Sequence, residues 1–545
     1  MDLPAAVWYV VLAAGVLVSS AVVFYLAQPG GRWTRTLRKR LYLGVPWGTL
    51  VATGLVAAFY LFVQDGLANP YAPVEIPFRA YSYFYPLGML TGGFAHSGLG
   101  HVSSNLLSTL VFGSLAEYAW SHFPERDSEG PPSRLSYPFV RIVVWIGAIG
   151  VVGVTTSLFG LGPVIGFSGV VFAFVGFALV RFPIATVVAA LSTRILTGLY
   201  NAFLTPELQQ TARETFSSPW WAGIAIQGHA LGLLVGVAAG IALLYHRNVR
   251  PKPEHVWLAA LAFAVDRGLW AIYLPEGSET FRLFRALGMA CVFLLAALIA
   301  SGATATPRSL LTRIDLSRRE AAYGLVLALL LALALVAVPL NLHAVTDSSA
   351  GLEGTEAVEV EDYTVAYVED VENRFVPTVP VPGDANRTGT GISASGVIVV
   401  SERRNIWWEE TSERRLASRG TATIRLGGLS WNEDVRAERT TWNVAGGNAT
   451  YHVRLGRATL EERPVVFRAD PAEADTVIEG RSVAVSPAED RFEVVVSRHN
   501  ETIGATEIPA GNGTAVAGGI AFVREDRSLF AERGETRVRV AQRSR

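Results

Sequence analysis

The stretch GFSGVVFAFVGF, residues 166–177, gives the first indication of the fold class of this chain. It contains no charged residue and is typical of a helix buried in lipid. A helix that only crosses a bilayer would carry Leu or Val in place of Ser168, because a polar side chain inside a membrane is costly. The hydroxyl therefore predicts a functional site, and the groups that accompany it must be found elsewhere in the chain.

The whole chain is too apolar for a soluble enzyme of its length. Half of its 545 residues are hydrophobic, 17% are charged, and the mean hydropathy is +0.33. These values are typical of an α-helical polytopic membrane protein, whose first partner is the lipid bilayer. The net charge of −1, without a basic stripe, does not indicate a nucleic-acid partner. The single cysteine, Cys291, lies in an apolar run, and no pattern predicts a metal site or a cofactor.

Ten apolar runs are long enough to cross a bilayer, which takes about 20 residues of helix. They cover residues 7–26, 43–64, 101–120, 138–159, 164–181, 184–204, 220–245, 255–274, 282–301 and 321–342. Arginine and lysine concentrate in the connections 31–40, 246–252 and 307–319, which the positive-inside rule assigns to the cytoplasm. Ten alternating spans then place both termini outside the cell membrane. The first run could be a signal peptide, but it lacks a basic leader and an obvious cleavage site, so we predict a retained helix.

The chain changes character after His343. Short apolar runs alternate with charged residues in SGVIVVSE, TATIRL, FEVVVSR and TRVRVAQR, with Gly, Asn, Asp and Pro between them. This alternation predicts strands, and about 200 residues can form one or two β-sandwich-like domains. Four Asn-x-Ser/Thr sequons suit an outward-facing glycoprotein domain, at Asn386, Asn448, Asn500 and Asn512.

Two other apolar runs carry polar residues at a depth similar to that of Ser168. GHVSSNLL holds His101 and Asn105, which are four residues apart and therefore on one face of a helix. QGHALGLLVG holds His229, with two glycines on the same face that would let a neighbouring helix come close. His229 is expected two to three turns into its span. In the predicted topology all these polar residues lie in the outer half of the membrane.

These side chains could supply the parts of an acyl-transfer site. A serine hydroxyl becomes a nucleophile when a base takes its proton, and histidine is the natural base. His229 could deprotonate Ser168, and Asn105, His101 and the backbone N–H of the serine could hold the oxyanion of the tetrahedral intermediate. No carboxylate lies at a matching depth, so the prediction is a Ser–His dyad without the orienting aspartate of the usual triad.

Gly166 and Gly169 flank the serine and would allow backbone to approach a substrate closely. Each feature alone also has an ordinary explanation. A Gly-x-Ser-Gly sequence in a membrane helix commonly serves packing, and a histidine within a helix is often structural. His101 with Asn105 could be an interfacial cap. The coincidence of all three features favours the functional interpretation.

Three stretches together resemble the signature motifs of the rhomboid intramembrane serine proteases. They are FAHSGLGHVSSN (residues 94–105), GFSGVVFAFVGF and GHALGLLVG, in the order that the family has them. The resemblance implies Ser168 as the nucleophile and His229 as the general base and acid. It also implies His101 and Asn105 as oxyanion donors.

The resemblance extends to further residues. It implies structural roles for His96, upstream of the oxyanion pair, and for Gly113 and Glu117, which form a G-x-x-x-E element. Phe172 stands where many rhomboids carry a tyrosine that packs on the catalytic histidine, so ring packing can persist without the hydroxyl's hydrogen bond. Gly228 stands where alanine is common. The family also implies a water-filled cavity open to the outside, and transmembrane protein substrates cut near their outer ends.

The predicted fold is a rhomboid-like six-helix core with extra helices, followed by a C-terminal all-β extracytoplasmic domain. Its parts are an additional helix with a basic loop (1–42), the core (43–245), three additional helices (246–343) and the β domain (344–545). Two functions remain open. One is an intramembrane serine protease, and the other is an inactive rhomboid-like scaffold or receptor that binds partners through its helices and β domain. Retention of all four site residues favours the protease, and neither its substrates nor its oligomeric state follows from the sequence.

Overall fold

The structure, a computed structural model, describes most of the chain. The described residues are 5–27, 31–123, 137–202, 225–275, 281–306, 309–311, 316–343, 352, 354–373 and 393–544. They form two compact units, a helical unit that ends at Leu342 and a strand-rich unit that begins at His343. The predicted β-rich C-terminal region is therefore present after a polytopic helical part.

Each of the ten predicted apolar runs contains helix in the described part of the chain. The helices of the first unit are α1 (Ala5–Ala27), α2 (Arg32–Arg38), α3 (Trp47–Ala58), α4 (Pro86–Thr91), α5 (Leu99–Ser108), α6 (Ser114–Trp120), α7 (Pro138–Leu158), α8 (Ser168–Arg181), α9 (Pro183–Ala202), α10 (Ile226–His246), α11 (Pro253–Asp266), α12 (Arg285–Thr304) and α13 (Arg318–His343). Five of them, α1, α7, α10, α12 and α13, are long and apolar enough to cross a membrane, and α8 and α9 are shorter apolar helices. The protein is a multi-pass membrane protein.

Two of these helical segments contain a π turn. Phe59–Val63 continues α3, and Thr109–Gly113 joins α5 to α6, so that helix runs without a break from residue 99 to residue 120. Single π turns within helices are frequent at functional sites. The second π turn begins four residues after Asn105. It therefore directly follows α5, the helix that carries two of the predicted site residues.

Two predicted spans differ from the structure. The helix expected over 255–274 ends at Asp266, because Gly268 adopts a left-handed backbone conformation with φ of 71°. A short hairpin of β1 (Tyr273–Pro275) and β2 (Phe281–Leu283) follows in place of the last turns. The helix expected over 220–245 is described only from Ile226. His229 therefore lies in the first turn of α10 and not two to three turns inside it.

Helix α8 forms the centre of the helical unit. All residues from Gly169 to Val180 are buried, and α8 packs against α6, α7, α9, α10 and α11. A helix that is apolar on every side fits such a position, because it has no face to present to water. In the first turn of α8, Ser168 carries the only polar side chain.

Glu117 fastens α3 to α6. Its carboxylate accepts hydrogen bonds from the backbone N–H groups of Gly48 (2.8 Å) and Thr49 (2.7 Å), and it lies 2.6 Å from Nε2 of His122. The first N–H groups of a helix have no partner within the helix, so a carboxylate there is stabilising. A Cβ atom on Gly113 would lie 2.8 Å from Thr49 Cγ2, so the G-x-x-x-E element packs against α3 at both of its residues.

Three charged residues where α9 meets α11 are paired with one another. Asp266 of α11 accepts a hydrogen bond from Arg194 of α9 and lies 3.3 Å from Nε of Arg267. Arg267 also donates to Oγ1 of Thr193 over 3.4 Å. These contacts hold α11 against α9 and compensate charges that would be costly alone in lipid.

The second unit is built from antiparallel sheets. Its strands are β5 (Ala357–Val360), β6 (Tyr363–Glu372), β7 (Ser393–Ser401), β8 (Ile406–Ser412), β9 (Thr421–Gly427), β10 (Asn432–Val444), β11 (Ala449–Arg457), β12 (Val465–Arg468), β13 (Ala472–Glu473), β14 (Ser482–Pro487), β15 (Phe492–Arg498), β16 (Glu501–Glu507), β17 (Gly513–Ala517), β18 (Ile520–Glu525), β19 (Ser528–Arg533) and β20 (Thr536–Arg543), numbered after two short strands of the first unit, β3 (Ser309–Leu311) and β4 (Leu316–Ser317). One short helix, α14 (Glu413–Arg419), lies between β8 and β9.

The strands of this unit pair in three sheets. The orders are β5-β6-β7-β8, then β12-β11-β10-β20-β19-β18-β17 with β9 also paired to β10, and β13-β14-β15-β16. The four alternating segments identified in the sequence are strands β7, β9, β15 and β20. Their buried valine, isoleucine and leucine side chains alternate with more exposed residues in β9 and β15, as expected for sheets with one face in a core.

Candidate active site

Ser168 and His229 meet at the N-terminal ends of two neighbouring helices. Ser168 is the first residue of α8, and His229 lies in the first turn of α10. Nε2 of the histidine is 2.8 Å from Oγ of the serine. A general base must come within roughly 2.6–3.2 Å of the group from which it takes a proton. Both residues are partly exposed, so the hydroxyl is not sealed inside the bundle.

The two helices approach so closely that their backbones are almost in contact. A Cβ atom on Gly232 would lie 2.1 Å from the carbonyl oxygen of Gly169, and one on Gly236 would lie 1.9 Å from that of Ala173. A Cβ atom on Gly176 would lie 2.2 Å from a carbonyl oxygen of α10. No side chain fits at these positions. We call Gly169, Gly176, Gly232 and Gly236 the glycine seam, and it brings the serine and the histidine together.

Aromatic packing holds the imidazole of His229. The ring of Phe172 stacks on it, with centroids 4.3 Å apart and planes inclined by 10°. Phe263 of α11 packs edge-on against Phe172 at 5.4 Å. Nδ1 of the histidine is buried and has no hydrogen-bond partner among the residues that the structure describes. The orientation of this ring therefore depends on stacking rather than on a carboxylate.

Asn105 and His101 lie beside the loop that leads to the serine. Asn105 is 7% exposed, and its Nδ2 donates to no group in the described part of the chain. Gly166, with φ of 123°, sits against both residues, because a Cβ atom there would lie 2.7 Å from the His101 ring and 3.7 Å from Asn105 Nδ2. Only glycine suits this backbone conformation and this space. A buried amide donor without a partner is available to a substrate oxygen.

His96 is completely buried beneath this loop. Its backbone N–H and C=O groups both bond to the side chain of Gln64, at 2.8 Å each. Its Nε2 accepts a long hydrogen bond of 3.5 Å from the backbone N–H of Phe167, and its ring centroid is 5.0 Å from that of His101. These contacts place His96 as a support for the loop and for the His101 ring.

Gly169 has a different environment from the one expected. We expected it to let backbone approach a substrate, but a Cβ atom on Gly169 would lie 2.8 Å from the side chain of Thr156 in α7. Its carbonyl oxygen faces Gly232 in the seam. No larger residue fits at position 169, because α7 and α10 both pack against it. Of Gly166 and Gly169, only Gly166 lies beside the His101 and Asn105 side chains.

Three amides that contribute to this region were missed in the sequence. Gln64 holds His96, and Gln227 and Asn341 bond to the loop before Ser168. All three stand within or at the end of an apolar run, where a purely lipid-facing helix would carry a hydrophobic residue. A polar side chain within an apolar run was the reason for predicting a site at Ser168, and the same reasoning applies to these three amides.

Comparison with known proteins identifies the part of the chain that carries these residues. Residues 85–246 match the family model of the Rhomboid domain, and this segment contains Ser168, His229, His101 and Asn105. No curated protein and no solved structure matches the chain. Helices α4 to α10 lie inside the matched segment, whereas α1–α3, α11–α13 and the strand-rich unit lie outside it. Residues 85–246 of this chain therefore form a Rhomboid domain.

Proposed function

We propose that this chain is an intramembrane serine protease that hydrolyses a peptide bond in or near the transmembrane segment of other membrane proteins. The observation that carries the proposal is the 2.8 Å contact between His229 Nε2 and Ser168 Oγ. The buried, unpartnered Nδ2 of Asn105 beside the same loop supports it. Polar side chains at the end of an apolar helix are energetically costly in a membrane, so their presence favours a functional role.

The proposed reaction begins when the Ser168 O–H bond breaks. Its proton passes to Nε2 of His229, and Oγ attacks the carbonyl carbon of the substrate. The carbonyl oxygen becomes an oxyanion, for which Asn105 Nδ2, the His101 ring and the backbone N–H of the serine are the donors. His229 then protonates the leaving nitrogen as the C–N bond breaks, which leaves an acyl ester on the serine.

Water completes the cycle by the same proton path. His229 takes a proton from the water molecule, the resulting hydroxide attacks the ester carbon, and the proton returns to Oγ of Ser168 as the acyl product leaves. The products are a free amine and a carboxylate. No cofactor is required by this sequence of steps.

The test compares purified protein with its Ser168→Ala variant on a panel of single-span substrates in liposomes. We expect cleavage by the parent and none by the variant, and we expect a fluorophosphonate probe to label the parent at Ser168. His229→Ala should also abolish turnover, and the double variant should lose no more, because the two groups act as one unit. Ser192→Ala is the matched control, since among the residues that the structure describes its hydroxyl bonds only to its own helix, at Val188 O.

Cleavage that persists undiminished in Ser168→Ala would end the protease proposal. A parent protein that neither cleaves any substrate nor reacts with the probe would favour the other function, a rhomboid-like scaffold that binds membrane partners. The two functions are therefore separated by one preparation and one active-site probe.

We also propose that both termini and the strand-rich unit lie outside the cell membrane, because the basic connections 31–40, 246–252 and 307–319 are expected in the cytoplasm. A tag after the last residue should be accessible on intact cells, and one in 31–40 should not. Asn448, Asn500 and Asn512 are exposed and lie outside the strands, which suits glycosylation. Asn386 lies outside the described residues. A mass shift lost in Asn→Gln variants would reveal glycans, and two tags on the same side would refute the topology.

A further inference from the structure

The loop of residues 159–167 connects α7 to α8 and leads directly into the proposed nucleophile. Its second half is tied to the segment before α4 and to the end of that helix. Ala80 and Val164 exchange backbone hydrogen bonds of 2.9 and 3.2 Å, and the N–H of Gly166 donates to the carbonyl of Gly92 over 2.8 Å. The first half, residues 159–161, is held by side chains from other parts of the chain.

Gln227 is the first of these side chains. Its Oε1 accepts a hydrogen bond from the N–H of Leu161 over 3.0 Å, and its Nε2 donates to the carbonyl oxygen of Phe159 over 2.9 Å. The same Nε2 donates to the carbonyl oxygen of Leu333 in α13 over 2.7 Å. Gln227 lies two residues before His229, so a single amide joins α10, the loop and α13.

Asn341 is the second side chain, and it belongs to α13. Its Nδ2 donates to the carbonyl oxygens of Leu158 and Gly160, at 3.1 Å each. Its own backbone carbonyl accepts hydrogen bonds from the N–H of Tyr83 (3.0 Å) and from Oγ of Ser82 (3.2 Å). Asn341 is 1% exposed, and the hydroxyl of Tyr83 also donates to Leu158 O over 2.7 Å.

Together the two amides supply donors to three consecutive carbonyl groups, those of residues 158, 159 and 160. Carbonyl groups at the end of a helix such as α7 have no donor within the helix, and burying them without one is unfavourable. The loop conformation therefore depends on donors that come from α10 and α13. Helix α13 lies outside the segment that matches the Rhomboid domain.

We infer that Gln227 and Asn341 are positioning residues, which fasten the loop before Ser168 to α13 and thereby set the position of the nucleophile. This inference rests on the proposed protease function. Burying an asparagine amide at the end of an apolar helix is energetically costly, and contact with lipid does not offset that cost. The bonds to residues 158 and 160 account for its presence, and the loop they hold ends at the serine.

The test replaces each amide by an apolar side chain of similar size in the full-length protein, as Asn341→Leu and Gln227→Met. Both variants should lose at least tenfold in kcat with KM for a transmembrane substrate nearly unchanged, because the change displaces the nucleophile and not the substrate-binding surface. The rate of fluorophosphonate labelling should fall in parallel. Asn341→Gln, which retains the donors on a longer stem, should recover part of the activity.

Tyr323→Phe is the matched control. Tyr323 also belongs to α13 and also bonds to a backbone carbonyl, that of Ala238 in α10 over 3.3 Å, but near the other end of the helix. It removes one contact between α13 and the core without touching the loop, so kcat should stay at the parent value. All rates are compared on folded protein, well below the unfolding midpoint of each variant.

The outcomes separate this inference from the function on which it rests. An active parent whose Asn341→Leu and Gln227→Met variants keep the parent kcat would overturn the positioning role and leave the protease in place. A rise in KM with unchanged labelling would also overturn it, since α13 would then act on substrate binding. A parent that neither cleaves nor reacts with the probe overturns the protease and the positioning role together. If Asn341→Leu does not fold, Gln227→Met and the recovery by Asn341→Gln decide the question.

Discussion

Substitution of Gly236 by alanine tests whether the glycine seam sets the geometry of the site. The new Cβ atom would lie 1.9 Å from the carbonyl oxygen of Ala173, whereas an ordinary contact begins near 3.4 Å. Helices α8 and α10 must therefore separate by about 1.5 Å at this point. If half of that displacement reaches the N-terminal ends of the helices, the His229–Ser168 distance grows from 2.8 Å to about 3.5 Å, beyond the roughly 3.2 Å within which a general base takes a proton.

The expected loss follows from the role of the base. General acid–base catalysis contributes roughly 100- to 10,000-fold, so Gly236→Ala should lower kcat/KM by about 100-fold or more. Overpacking should also cost about 1–3 kcal/mol of stability, which is not enough by itself to unfold an ordinary protein. Cleavage of a transmembrane substrate in liposomes, the rate of fluorophosphonate labelling and the unfolding temperature would be measured on the same preparation.

Gly228→Ala is the control on the same helix. Gly228 is the residue just before His229, and the nearest atom to its new Cβ would be Ala225 Cβ at 3.9 Å, an ordinary contact. This variant should keep the parent activity. Parent-like activity in Gly236→Ala would refute the claim that the seam fixes the distance between serine and histidine. An equal loss in both variants would show that alanine anywhere in this helix is harmful.

Three further predictions concern other residues. Phe172→Leu should lower kcat/KM by up to about 100-fold, which is the cost of misplacing a reacting group by about 1 Å. Phe172→Tyr should retain the stacking and the activity. Equal rates for the parent and Phe172→Leu would exclude the ring as an orienting group. Asn105→Ala should lower turnover by about 10- to 1000-fold with little change in unfolding temperature, and the reverse result would assign it to packing. Burial, with Arg454 nearby, lowers the pKa of His452 in β11 to about 4. Because the unfolded chain then binds the proton more readily, the strand-rich unit should lose stability as pH falls from 6.5 towards 4. In urea unfolding of the full-length protein, the stability of the His452→Gln variant should depend less on pH over that window.

The helices and strands could be predicted because each follows from a local rule. A bilayer demands about 20 apolar residues per span, and alternating apolar residues have only one face to bury in a sheet. The end of α11 could not be predicted in this way. The apolar run continues past Asp266, but the helix ends there and Gly268 adopts a left-handed conformation.

The identities of the proposed site residues were predicted from chemistry, but the contacts that arrange them depend on distant parts of the chain. Ser168 and His229 stand out as polar groups in apolar runs. Their distance, by contrast, depends on which glycines face each other, and Gly169 looked like a substrate-facing residue until its neighbours in α7 and α10 were known. Asn341 bonds to residues about 180 positions earlier in the chain, a pairing that no local pattern encodes.

The place of α13 in the chain has a consequence for the order in which the protein is made. The four proposed site residues are complete once His229 has been synthesised, but Asn341 follows more than a hundred residues later. At roughly 5–20 residues per second, about 6–23 s pass before α13 ends at His343. If the loop needs Asn341 to reach its final conformation, Ser168 and His229 are not yet correctly placed while the nascent chain passes through the insertion machinery. Unrelated transmembrane segments being inserted nearby would be spared until the final helix is in the membrane.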